Sequence, residues 1–202
     1  MSSYIFKQAP TPVSGATAIT FASPITAGSL LVVSTAIYNA SATAVSDTVN
    51  GTWGVAVASV TNSDLVDQQL FLFPNSAAGT DRVDITWSAN TGLIAAAEYA
   101  SVATSSPLDP TAPNPVTASG NASTAMAAGP TGTLAAAGEL LLFCGWANNA
   151  ASLTAGSGYT SRANGAGMLI ADKASPSTSG QTATATIATA QDWTAILAAI
   201  KL

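Results

Sequence analysis

No histidine occurs among the 202 residues. That removes imidazole as general base, proton shuttle or metal ligand, and with it the usual serine and cysteine triads of hydrolases. Cysteine occurs once, so no intrachain disulfide can form. Cys144 stands in the middle of an apolar run, where a lone cysteine behaves as a small core hydrophobe. Charged residues are 7% of the chain, against about 25% in an average domain. The five cations, Lys7, Arg82, Arg162, Lys173 and Lys201, are scattered through a chain of net charge −5. With no basic patch to neutralise phosphates, nucleic acid is excluded as a partner. No stretch reaches the roughly 18 apolar residues that span a bilayer, so no membrane partner is expected. The start, MSSYIFKQAP, has no charged segment leading into an apolar one, which predicts synthesis in a cytoplasm without a signal peptide.

What is present is one pattern written twice. Gly28 to Tyr38 (GSLLVVSTAIY) contains the longest strongly apolar run, and Gly138 to Trp146 (GELLLFCGW) repeats it 110 residues later. Short runs bounded by Gly, Ser and Asn suit strands buried on both faces, because those flanking residues take turn conformations and Val and Ile favour pleated sheet. Arg82 to Trp87 alternates cleanly, with Val83, Ile85 and Trp87 inward and Arg82, Asp84 and Thr86 outward. Val83, Ile85 and Trp87 map onto Ala183, Ala185 and Ile187 at an offset of 100, and Leu93 maps onto Trp193.

The fold expected is all-β: a single antiparallel β-sandwich, jelly-roll-like, of two sheets and about ten to twelve strands, with an internal duplication. Its parts are an N-terminal arm over 1–15, in which Pro10 and Pro12 break regular pairing, a first half over 16–104, a proline-rich crossing over 105–121, and a second half over 122–202. Asn50-Gly51 marks a tight turn in the first half.

Several fragments in order, GSLLVVSTA, SDTVNGTW, AAAEYASVATSSPLD, GELLLFCGW and GSGYT, together resemble the jelly-roll or concanavalin-like β-sandwich domains of phage structural proteins and bacterial surface proteins. In that family a Glu-Tyr-Ser-Gly-like motif precedes Pro-Leu-Asp. Here Glu98, Tyr99 and Ser101 keep part of the motif, but Ala100 intervenes and no glycine follows. The resemblance covers about residues 17 to 200 and implies a non-enzymatic virion or surface role, with no binding residues to carry over.

Candidate chemistry is sparse. Glu98 and Glu139 are the only glutamates; as a glycosidase pair they would need to stand about 5 to 10 Å apart, and they read instead as solvated charges at strand ends. Asp64 with Asp67, and Asp81 with Asp84, lack the dense spacing of a calcium loop, and Arg82 beside them reads as charge balance on an exposed strand. No catalytic residue, metal or cofactor is expected. Thr182, Thr184 and Thr186 form one rank of hydroxyls, too few for an ordered-water surface. Trp53 and Tyr159 follow equivalent glycine turns and are the candidate ligand-binding residues, as flat rings suit the apolar face of a sugar.

The function expected is that of a bacteriophage virion structural subunit, a capsid decoration or other head or tail surface protein. It would bind copies of itself and other virion proteins through buried area, with the arm and the crossing reaching a neighbour. The alternative is a carbohydrate- or receptor-binding module with surface glycans as partners.

Overall fold

The computed structural model describes residues 3–150 and 152–202. Its strands are β1 (Ile5–Gln8), β2 (Val13–Ala16), β3 (Ala18–Thr20), β4 (Leu30–Tyr38), β5 (Ala42–Asp47), β6 (Gly51–Thr52), β7 (Ala58–Thr61) and β8 (Val66–Phe73), then β9 (Arg82–Trp87) and β10 (Gly92–Ala100). The second half continues with β11 (Val116–Ala128), β12 (Leu140–Ala147), β13 (Leu153–Ala155), β14 (Thr160–Gly165), β15 (Met168–Ala174) and β16 (Ala183–Ile200). The protein is all-β and antiparallel, as its patterning predicts, and its sheets stack as sandwiches.

The layering goes beyond the two sheets and ten to twelve strands expected. Among the described residues sixteen strands form three hydrogen-bonded sheets, ordered β1-β10-β4-β8-β7 with β2 also on β10, β3-β9-β5-β6, and β11-β16-β12-β15-β14 with β13 also on β16. The reason lies in β4 and β12, whose side chains are buried on both faces. Leu30 and Val32 point into a central core shared with Leu140 and Leu142, whereas Leu31 and Val33 point into a core of the first half and Leu141 and Phe143 into one of the second. A strand buried on both faces needs a layer on each side. The molecule is therefore two sandwiches back to back, with three cores, and each such buried side chain contributes about 2 kcal/mol.

Ladder register shows that the second half repeats the first. Leu31 pairs with Phe73 and Leu141 with Lys173; Ala44 pairs with Thr86 and Thr154 with Thr186. Both sets keep offsets of 110 and 100. The expected match of Leu93 with Trp193 is one residue out. Leu93 pairs with Ala36 while Thr194 pairs with Trp146, so Thr194 is the counterpart of Leu93 and Trp193 that of Gly92. One extra residue between Ile187 and Trp193 makes the difference, and two bulky apolar side chains at the same offset concealed it.

The arm is not unpaired. β1 and β2 both add to β10, with Pro10 and Pro12 in the gap between them, an arrangement that edge strands tolerate. The Tyr4 hydroxyl donates to Asp172 Oδ1 at 3.0 Å, and Phe6 lies 4.4 Å beneath the Arg162 guanidinium. The crossing is likewise held by its own chain. Leu108 bridges to Ile200, Asp109 N–H donates to Ala199 O at 2.9 Å, and the Asn114 side chain bonds both the carbonyl and the N–H of Ala199. Its extended part ends at Pro115, because Val116 onward is already strand β11 on the edge of its sheet.

Candidate functional site

Trp53 and Tyr159 occupy corresponding places in the two halves. Trp53 follows the Asn50-Gly51 turn, and its ring packs on Phe73 at 5.4 Å between centroids. The counterpart of Phe73 is Lys173, whose Nζ sits 5.6 Å over the Tyr159 ring. The sequence pairing of these two residues thus has a structural basis, but it does not make them a shared platform. One belongs to the first-half core and the other packs on the second-half core.

Both rings are engaged in packing. Trp53 is 5% exposed, and its indole Nε1 donates to Asp47 Oδ2 at 2.6 Å. Asp47 also accepts from Val49 N–H, Asn50 N–H and the Asn50 side chain, so one buried carboxylate shapes the turn and anchors the tryptophan. Trp53 also lines a surface cleft of about 360 Å³ beside Thr43 and Val55. Tyr159 is half-buried, edge-on to Phe143, with a hydroxyl that is buried without a hydrogen-bond partner. Burial pushes that hydroxyl well above its ordinary pKa.

The two glutamates are not solvated. Glu98 is fully buried and accepts from Gln8 Nε2, Thr26 N–H and Ser29 Oγ, each at 2.8 Å. Glu139 is 2% exposed and lies beside Asp109, which is equally buried. Burial and then the Asp109 carboxyl push Glu139 up to about 7. Asp109 is held below its usual range because it accepts from the Thr111 hydroxyl and N–H and from Ala135 N–H. Each glutamate is committed to different partners, which came from distant sequence and left no local signal.

The aspartates named as calcium candidates separate too. Asp84 pairs with exposed Arg82 at 2.9 Å, in line with local charge balance. Asp81 is fully buried, and burial with the nearby Asp47 charge pushes it up to about 6. Asp67 accepts from Ser59 Oγ, and burial raises it. Among the described residues no three His, Cys, Asp or Glu side chains gather as a metal site. Cys144 is fully buried and free, with its thiol pushed up to about 12 by burial.

A surface cleft of about 610 Å³ lies at one end of the central core, where the halves meet. Ile37, Tyr38, Leu65 and Leu93 line it from the first half, and Trp146 and Asn148 from the second. Tyr38 is 62% exposed and Leu65 52%, two of the few large apolar side chains left open to water. Beside it the carboxyl groups of Asp64 and Asp192 neighbour each other, which raises Asp64 and lowers Asp192, while Ala122 N–H donates to Asp192 at 2.8 Å. Sequence reading missed this cleft because its walls come from strand ends far apart in the chain.

These features define a class: an all-β protein of stacked antiparallel sandwiches whose carboxylates are mostly spent on holding turns and segments in place. No family model and no curated protein matches this chain.

Proposed function

We propose that the chain is a non-enzymatic structural subunit of a bacteriophage virion, a capsid decoration or other head or tail surface protein that works through protein–protein contacts. One observation carries the reading. No charged residue stands between Asp109 and Glu139, and that stretch contains β11, the thirteen-residue strand at the edge of its sheet. Monomeric proteins guard long edges with charge, because an open row of backbone donors and acceptors is a template for another chain. An uncharged surface of small hydroxyl and methyl groups also loses little solvation when covered by protein. Mass spectrometry of gradient-purified particles from cells carrying the gene should find the chain in structural amounts. Its absence from particles would overturn the proposal.

A carbohydrate-binding role is the second reading, favoured by the end cleft with its exposed Tyr38 and neighbouring Asn148. Binding on a glycan array that Tyr38→Ala abolishes would support it. Trp53→Ala is not a useful probe, since Trp53 is part of a core.

A further inference from the structure

Every sheet in the molecule ends somewhere, and most of those ends are guarded. β6 has two residues, β3 three and β7 four, each too short to template a ladder. β14 carries Arg162 and a register shift between Ser161 and Ala163. β1 carries Lys7 and runs toward Pro10. Short length, charge, bulges and proline are the devices that keep edges from pairing.

β11 has such protection only outside its first five residues: Pro115 precedes them and two register shifts follow them. It pairs with β16 on one side, and among the described residues no strand pairs it on the other. Its pairing is regular from Val116 to Gly120, then shifts at Gly120/Ser123 and Ser123/Ala125. The regular stretch carries no charge and no proline, and exposes Thr117 and Ser119.

We propose that Val116–Gly120 pairs antiparallel with the same stretch of a second copy, about a two-fold axis through Ala118. The inference rests on the assembly reading above and names the surface and the partner. The occupant is argued from charge and symmetry. Antiparallel self-pairing normally risks setting like charges opposite each other, and this stretch has none to oppose. Centred on Ala118, the ladder places Thr117 of each copy across from Ser119 of the other, a hydroxyl pair of the kind that favours neighbouring strands. Val116 then lies across from Gly120, over which the Trp193 ring of the neighbouring strand packs. The result joins two inner sheets of the second half into one continuous sheet, an isologous contact that closes at two copies. A ladder this short buries less than the roughly 1,600 Å² of a standard interface, so association is concentration-dependent unless further contacts add to it.

Sedimentation velocity on the full chain should show a dimer that grows with concentration. Replacing Thr117→Lys with Ser119→Lys sets lysines opposite lysines and should weaken association about tenfold or more. Both positions are exposed, so circular dichroism melting should stay unchanged. Mixing that variant with Thr117→Glu plus Ser119→Glu should restore the dimer. As a second route, Ala118→Cys on the axis should give a disulfide-linked dimer on oxidation, while buried Cys144 gives none in the parent. A parent that self-associates while the lysine variant does so equally, with no Ala118→Cys cross-link, overturns this edge and leaves the assembly reading standing. A parent that stays monomeric and is missing from particles overturns both.

Discussion

The two halves share strand order and ladder offsets, yet they join inner sheet to outer sheet differently. In the first half the strands that pass from one sheet to the other are broken, β2 from β3 and β9 from β10. In the second half the corresponding strands run through without a break, as β11 and the eighteen-residue β16. The register shifts of β11 take up the bend that separate strands achieve with a gap. One topology thus tolerates either a corner or a curve, and what it requires is the double-sided burial of β4 and β12. The anchors differ as well. The first half fixes Trp53 with the Asp47 carboxylate, while the second sets Tyr159 between Phe143 and Lys173 with its hydroxyl unbonded.

The most damaging substitutions fall in the core the halves share. Leu142→Ala should cost about 3 to 5 kcal/mol, and denaturant unfolding read by tryptophan fluorescence should remain a single transition. Two separate transitions would show that the halves are independent. Arg162→Ala comes next. It leaves the nearly buried Asp172 carboxylate without its two guanidinium bonds, at 2.6 and 3.0 Å, and should cost about 3 kcal/mol, read as a lower denaturation midpoint.

A sharper contrast sets Trp53→Phe beside Tyr159→Phe. The first removes one of the four hydrogen bonds the buried Asp47 carboxylate accepts and should cost about 1 to 3 kcal/mol, whereas the second removes a hydroxyl that has no partner and should be neutral or stabilising in thermal melts. The pH response should also differ by region. Glu139 holds its proton more tightly folded than unfolded, so its contribution is full below about 4.5 and is lost as pH rises toward about 7. Glu139→Gln should flatten that decline in melting temperature between these values. Asp81, pushed up to about 6 in the first half, leaves a smaller slope of the same sign in that variant. The smallest effect belongs to Arg82→Ala, within about 0.5 kcal/mol because its ion pair with Asp84 is exposed.

What the sequence made legible were features set by neighbouring residues. Leu30 to Val33 and Leu140 to Phe143 read as doubly buried because both parities are apolar, and they are. Thr182, Thr184 and Thr186 alternate with Ala183, Ala185 and Ile187, and the structure exposes the first set and buries the second. Less legible was whatever depends on distant partners. Glu98 reads as a strand-end charge until Gln8, Thr26 and Ser29 arrive around it, and Glu139 until Asp109 does. The prolines of the arm signalled a break in pairing, but they fall between two short strands and so interrupt nothing. The end cleft had no signal at all, being assembled from Tyr38, Leu65 and Trp146 by the docking of the halves.

The hydrogen bond from Tyr4 to Asp172 spans 168 positions of sequence. On a ribosome that emits the chain from its N-terminus, the strap's first residues emerge long before their anchor exists. β1 can zip onto β10 once residue 100 is out, but the Tyr4 hydroxyl stays wet until Asp172 has emerged. The fastening that closes the first half against the second therefore has to wait for the second half, although one of its two partners is made before any strand of the first.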